Sequence, residues 1–447
     1  MDTREQMRIE SVAEDKSEIT VVTTGARYVF DKSGKNGRIL CHQQLNQKRL
    51  LAVVELSCPF STLSVEHHDD TTCVLNQGLE GCSYLRIQIN SDSLVDLYCR
   101  SDWDLTRELH LNFSGSFLPD YSARKDGHVL LADEDGGLGI YPYRGLRKVE
   151  LTDAAQRNWQ ISYTLKPSSR LLLSVFPPRP FNYEQSLQDR IAHHDLEGPW
   201  LISPYPPDEM IVEASEYANI LVLHTKIWQG KRTRAGQALT SVDDVYADAA
   251  WSCFDYVPVD ENELRRVVAT AHSVGMRVIP YMSPMFSMAR GKDFLDRVEN
   301  ALEEYDFDGV YFDGISMDIL YSYELMREAR ARLGDQLIYL HSTYDPVGSR
   351  NVYCPFIHTY ADFVLRAENA EPFDDKHLRY AISGFNTSNT INYVCYYTYQ
   401  MDFIRELVDK VLPVKVRFYL GLPETEKERL LKKEYFPKLD REHPSPA

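Results

Sequence analysis

The sequence predicts a multidomain α and β protein: an N-terminal antiparallel β-sandwich of the supersandwich kind, then a C-terminal (β/α)8 TIM barrel. Three observations predict this. From about residue 18 to about residue 180, short apolar runs alternate with period two and break at Gly, Asp, Asn and Ser. From about Met210 onward, strand-like runs alternate with amphipathic helical runs, the pattern of a parallel sheet. Between them, Asp195 to Met210 (DLEGPWLISPYPPDEM) concentrates four prolines and a glycine, a linker composition. The expected domains are therefore a sandwich over 1–195, a Pro-rich linker over 196–210 and a catalytic barrel over 211–447.

In the first half the runs EITVVTTGARYVFD, RLLAVVELS, YLRIQIN, LVDLYCR, GHVLLAD, LGIYPY, WQISYTL and RLLLSVF read as strands. DKSGKNG (Asp31 to Gly37) and DEDGG (Asp133 to Gly137) read as turns. In the second half ANILVLHT is a buried strand, and ENELRRVVATAHSVGM is an amphipathic helix closing at Gly275. RVIPYMS, GVYFDG, LIYLHST and YADFVLRAE are further strands, separated by the helices KDFLDRVENALEEYD and ILYSYELMREARARLG. TINYVCYY, MDFIRELVDKVL, VKVRFYLGL and TEKERLLKKEYF complete seven or eight β/α units in about 230 residues, the length of a barrel. A doubly wound open sheet is the alternative, but no GxGxxG or GxxxxGKS turn supports nucleotide binding.

The charge narrows the partners. Across 447 residues, 49 Lys+Arg stand against 66 Asp+Glu, a net −17. That argues against binding a phosphate backbone, so no nucleic acid, and against a polybasic membrane patch, so no membrane. No apolar stretch reaches the length of a spanning helix. The polar, acidic N-terminus lacks a signal core, so the chain reads as cytoplasmic, or as exported after loss of a leader. None of the eight cysteines forms a CxxC, which argues against a zinc or thioredoxin-type site; five lie in the first hundred residues, where one disulfide is the alternative to the favoured reading of free buried thiols. No metal and no cofactor is expected.

In a barrel, chemistry sits where the strands end. The polar residues at those positions are His224, Lys226 and Trp228, then Tyr281 and Ser283, then Asp313, then His341, then Arg366 and Glu368, and finally Arg417 and Tyr419. With Tyr311 they combine carboxylates, basic groups and aromatic rings, the inventory of a sugar site. Asp313 follows the apolar Val310-Tyr311-Phe312, where a carboxylate is costly unless used or paired. Its bland reading is a helix cap, which Asp318 and Ser316 can equally supply. Glu368 is the expected second carboxylate; its bland reading is a surface partner for Arg366 or Lys376. Asp345 and Glu371 are its rivals, and Asp306, Asp308 and Asp362 belong to the opposite end of their strands. Lys226, Arg366 and Arg417 would form a local basic pocket suited to a charged sugar. The pairs His67-His68 and His193-His194 read as solvated loop residues.

YDFDGVYFDG resembles the fourth-strand motif of retaining glycoside hydrolases, among them the α-galactosidase clan, the α-glucosidases of similar fold and the α-L-fucosidases. ELRRVVATAHSVGMRVIPYMSP and YADFVLRAEN resemble the second-helix-to-third-strand segment and the sixth-strand end of such barrels, with Ala367 where related barrels carry Gly. LLLSVFPPRP resembles the exit from the preceding supersandwich. The resemblance implies Asp313 as nucleophile, Glu368 as acid/base, and an α-linked oligo- or polysaccharide as substrate. Two other classes share these features: a carbohydrate-binding barrel without catalysis, and a polysaccharide lyase using a Tyr, His or Lys base.

Overall fold

The computed structural model describes residues 7–79, 83–101, 108–152, 159–181, 187–194, 204–230, 254–289, 291–313, 315, 318–341, 354–366, 375–382, 388–391, 401–414 and 417–444. The chain divides into two compact units, parted between Phe181 and Asn182.

The first unit is built on period two. Strands such as Glu18–Thr23 and Gly37–Gln43 alternate buried and more exposed residues, one face going to the core. Among the described residues, 14 strands join one large antiparallel sheet. The run EITVVTTGARYVFD becomes two strands, Glu18–Thr23 and Ala26–Asp31, paired as a hairpin. Both expected turns are present: Asp31 and Gly37 bound one, Asp133 and Gly136 the other. The runs WQISYTL and RLLLSVF fuse into one strand, Gln160–Phe176, paired with Gly136–Thr152 through three register shifts. Bulges let a strand this long bend and follow the core, which is why its halves read as separate runs. Trp159 is fully buried and its indole N–H donates to the Phe117 carbonyl at 3.1 Å. Arg49 donates to both oxygens of Asp133 while its guanidinium lies 5.0 Å over the Phe117 ring. The short helix Pro355–His358 also belongs to this unit, with Phe356 edge-on to Tyr141 at 5.2 Å. Cys41, Cys58, Cys73 and Cys99 are free thiols.

In the second unit the described parallel strands run, in chain order, Ile191–His194, Ile220–Leu223, Arg277–Met282, Gly309–Phe312, Leu337–His341, Phe363–Arg366 and Ser388–Ile391. The last stretch pairs twice. Arg417–Phe418 joins Ser388–Ile391, and Leu420–Leu422 joins Ile191–His194. One stretch of chain therefore stands at both ends of the strand order. Ile220–Leu223, Gly309–Phe312 and Leu337–His341 are buried throughout, as strands covered on both faces must be. Gly309, at φ 156°, opens its strand where any Cβ would overlap the Leu337 carbonyl.

The intervening helices follow their caps. Asp260 accepts from the Glu263 N–H to start Glu261–Ser273, and Gly275, at φ 78°, stops it. Leu264, Val267, Val268 and Ala271 make its buried stripe. Asp318 caps Ile319–Leu333, and Thr425 with Glu428 forms a capping box at Glu426–Leu430.

Two expectations need correction. The pair His193-His194 is not solvated: both side chains are buried, and Ile191–His194 is the first parallel strand. With it the second unit begins before residue 195, so Pro-rich 204–207 leads into the helix Asp208–Ser215 from within that unit. Two histidines disguise a buried strand because imidazole scores as polar while packing as an aromatic ring.

Asp362 lies at the start of its strand, as expected. There Arg330, 2% exposed, donates to its Oδ2 at 2.6 Å and also to the carbonyls of Tyr360, Gly334 and Gln336. Arg330→Met should strand Asp362 and three carbonyls, destabilising the protein by about 3–5 kcal/mol in urea unfolding. His128, on His128–Asp133, has its pKa pushed down to about 4 by burial, which Asp126 only partly opposes. Below pH 6.5 the unfolded chain takes a proton there that the folded chain refuses until about pH 4. Stability should therefore fall on acidification across that window, by at most about 1.4 kcal/mol per pH unit. His128→Phe should flatten this part of the pH–stability curve.

Candidate functional site

The site is assembled where the parallel strands end. Asp313 follows Phe312, its N–H donating to the Met282 carbonyl at 3.2 Å as the ladder closes. It caps no helix: Asp318 does that, accepting from the Leu320 and Tyr321 N–H groups at 3.1 and 3.3 Å. The Asp313 carboxylate is instead held at both oxygens. Oδ1 lies 2.6 Å from Nδ1 of His341, and Oδ2 accepts from the Tyr281 hydroxyl at 2.8 Å. Tyr311 approaches the same His341 Nδ1 at 3.0 Å. The Asp313 side chain keeps 18% exposure and that of His341 8%, so the carboxylate is enclosed but reachable.

Burial by itself would raise the Asp313 pKa. The hydrogen bond and charge of His341, the charge of His224 and the Tyr281 hydroxyl outweigh it and hold the carboxyl below its ordinary value. The group is thus an anion at neutral pH, oriented by two side chains from the neighbouring strands.

Rings from six strands surround it. His193 lies 5.3 Å from Tyr311, 5.5 Å from Tyr339 and 4.6 Å from Tyr419, centroid to centroid. His224 lies 4.8 Å from Tyr281. A first-strand side chain that touches the fourth, fifth and eighth requires a strongly curled sheet. Burial holds His193 well below the ordinary histidine pKa, reinforced by His224, His341 and Lys427. It is a neutral imidazole, and neither ring nitrogen has a hydrogen-bond partner among the described residues.

Of the sequence-predicted residues, Asp313, Tyr281, Tyr311, His341 and His224 come together. Lys226 sits half-buried in the turn Thr225–Ile227, directly after His224. Trp228 is buried, and its indole N–H donates to the Tyr281 carbonyl at 2.6 Å; it braces the site's wall. Arg417 is the first described residue of the strand Arg417–Phe418. It donates to the Asp189 carbonyl and stacks 4.8 Å over Phe363, the first residue of the strand next but one. That places it at the opposite edge, away from Asp313, and Tyr419 points inward two residues later. Arg366 is the last described residue of its strand. Its side chain lies outside the described residues, as do Glu368, Asp345 and Glu371.

Three contributors are absent from the sequence reading. His193 is one. Lys427 is another: it is buried, 5.2 Å over the Tyr419 ring and 2.9 Å from Glu428. Burial lowers its pKa against the pull of Glu428. The T-x-x-E signature of Thr425 and Glu428 marks this turn in the sequence. Tyr256 is the third. Its φ of 57° is left-handed, a conformation that costs a bulky residue roughly 1–3 kcal/mol. Its hydroxyl donates to the Ser283 carbonyl at 2.8 Å and accepts from the Ser283 N–H at 2.9 Å. No local sequence signal announces that backbone.

No protein-family model matches the chain, and no curated protein matches it. Solved structures similar to it include a GH31 dextranase from Flavobacterium johnsoniae complexed with glucose, at 9% identity and TM-score 0.37 over 98% of this chain and 70% of that one. A cycloalternan-forming enzyme from Listeria monocytogenes is similar at 9% identity and TM-score 0.42 over 98% of this chain. The chain spans 54% of that enzyme's length. The α-galactosidase from Lactobacillus brevis is similar at 11% identity and TM-score 0.46, covering 95% of this chain and 83% of that one.

Tyr281→Phe removes the donor to Oδ2 and should raise the pKa of Asp313. Carbon-13 NMR of aspartate-labelled protein, with Asp313→Asn identifying the resonance, checks this. An unchanged titration would contradict the hydrogen bond.

Proposed function

We propose that the protein is a glycoside hydrolase whose parallel sheet is a closed (β/α)8 barrel and whose antiparallel unit is an accompanying β-sandwich. One observation carries the reading: an ionised Asp313 carboxylate at the strand ends, reachable from outside, held by Tyr281 and His341 within a layer of aromatic rings. The strand order supports the barrel, because Arg417–Leu422 stands at both its ends.

In the proposed reaction an Asp313 oxygen attacks the anomeric carbon as the bond to the leaving oxygen breaks. Glu368 gives that oxygen its proton, and a glycosyl ester forms on Asp313. Water, giving its proton back to Glu368, then displaces the carboxylate and restores both groups. This route needs the two carboxyls about 5–5.5 Å apart, and inversion needs about 6.5–9.5 Å. The aromatic rings suit the apolar faces of a sugar. The proposed substrate is an oligo- or polysaccharide, with α-linkages carried over from the family resemblance.

A second reading is favoured by the 2.6 Å contact of Asp313 with His341. In its neutral form, with the Nδ1 proton directed at the carboxylate, that imidazole would present a basic Nε2, the kind of base a polysaccharide lyase needs. A glycan panel followed by proton NMR separates these readings. Hydrolysis yields a reducing end of one anomer, whereas elimination yields an unsaturated sugar absorbing in the ultraviolet. Binding without either product would indicate a carbohydrate-binding barrel. Asp313→Asn should abolish hydrolysis with the melting temperature retained. Asp313→Gly with added azide should yield a glycosyl azide. Full hydrolysis by Asp313→Asn would place the nucleophile elsewhere.

A further inference from the structure

The small antiparallel pair Trp228–Gly230 and Phe254–Pro258 follows the second parallel strand. It is irregular. Trp228 pairs with Pro258 and Gly230 with Phe254, so one intervening residue faces three. Tyr256 is the middle one of the three and carries the left-handed backbone. Bulges of this kind re-aim a side chain, and here the redirected side chain is the Tyr256 phenol.

Its target is the backbone of the residue just beyond the third parallel strand. Past Met282 the strand ends, and the backbone groups of Ser283 need partners. The Tyr256 hydroxyl serves both, donating to the carbonyl and accepting from the N–H. Ser283 is thereby fixed in position and direction. Its own hydroxyl donates to the Asp313 carbonyl at 2.7 Å. The other strand of the pair grips two residues earlier, where the Trp228 indole holds the Tyr281 carbonyl and the Tyr281 hydroxyl holds Asp313 Oδ2. Trp228 and Tyr256 brace one another edge-on at 5.6 Å.

We propose that this bulged pair is the positioning element of the reacting carboxylate. Tyr256 acts through Ser283 on the Asp313 backbone, and Trp228 acts through Tyr281 on the Asp313 side chain. The inference rests on Asp313 being the reacting group. Neither residue touches substrate in this scheme: both are positioning residues, and the strain at Tyr256 is sustained because two hydrogen bonds to the backbone of one residue depend on it.

Tyr256→Phe tests the proposal in the full chain. It keeps the ring contacts with Trp228 and Phe294 and removes both bonds to Ser283. The expected result is a kcat lowered about 10- to 100-fold, with KM changed less than about threefold. The pKa of Asp313, followed by carbon-13 NMR against Asp313→Asn, should rise as the Tyr281 contact loosens. Ser283→Ala should act in the same direction, and the double variant should be no worse than the poorer single one. Ser283→Ala reads the same link should Tyr256→Phe not fold. Cooperative unfolding with both kcat and the Asp313 titration unchanged would overturn the proposal. Retained hydrolysis by Asp313→Asn would remove the glycosidase reading instead, and the NMR titration would still decide whether the bulged pair positions Asp313.

Discussion

The site depends on keeping one carboxylate charged where the fold least favours charge. An unpaired anion at the end of a buried strand would take up a proton to escape the desolvation penalty. Asp313 is prevented from doing so by His341 on one oxygen and the Tyr281 phenol on the other. Charge-assisted bonds of this type contribute more than neutral ones. Here they outweigh a desolvation that works in the opposite direction. Tyr281 belongs to the third strand and His341 to the fifth, flanking the strand that Asp313 follows. The parallel register is therefore what brings the three groups to one place.

The same constraint explains the unusual interior. A sheet filled with aliphatic side chains would offer the carboxylate no donors. This one meets in phenols and imidazoles at centroid separations of 4.6 to 6.5 Å, rings that pack like hydrocarbon and still carry polar edges. His193 sits among them uncharged. Burial disfavours a charge on it, and His224, His341 and Lys427 would repel a further cation there, so the field on Asp313 comes from His341 and His224. The net charge of −17 gives no hint of this arrangement. The local balance near Asp313 is set by a few enclosed groups, and the surface acids are screened from it by solvent.

Periodicity made most of the second unit legible. GVYFDG, LIYLHST and the helix closing at Gly275 stand close to where the sequence places them, because each combines an apolar run with a stop signal. The place of Asp313 directly after its buried strand was legible for the same reason, because an apolar run stops there. The first parallel strand was hidden because half of its four residues are histidines. Arg417 was misplaced because a short strand's start and end cannot be told apart by composition, and two residues separate the buried Arg417 from the inward Tyr419. Tyr256 was beyond reach altogether. Its role comes from a bulge that sets three residues opposite one, and nothing in FDYVP demands a left-handed tyrosine.

The grip on Asp313 has opposite consequences for the two halves of the proposed reaction. Hydrogen bonds that stabilise the free carboxylate are weakened when an oxygen becomes an ester, so they oppose the first attack. For the same reason they favour the second step, in which the carboxylate must leave. A nucleophile with a depressed pKa is a slower attacker and a better leaving group. Such a balance serves an enzyme whose glycosyl ester would otherwise accumulate, and it places a demand on geometry. A carboxylate with reduced intrinsic reactivity must be aimed well to react at all. That demand gives a physical reason for a strained tyrosine and a buried tryptophan to be committed to holding the strand next to Asp313, rather than to the substrate itself.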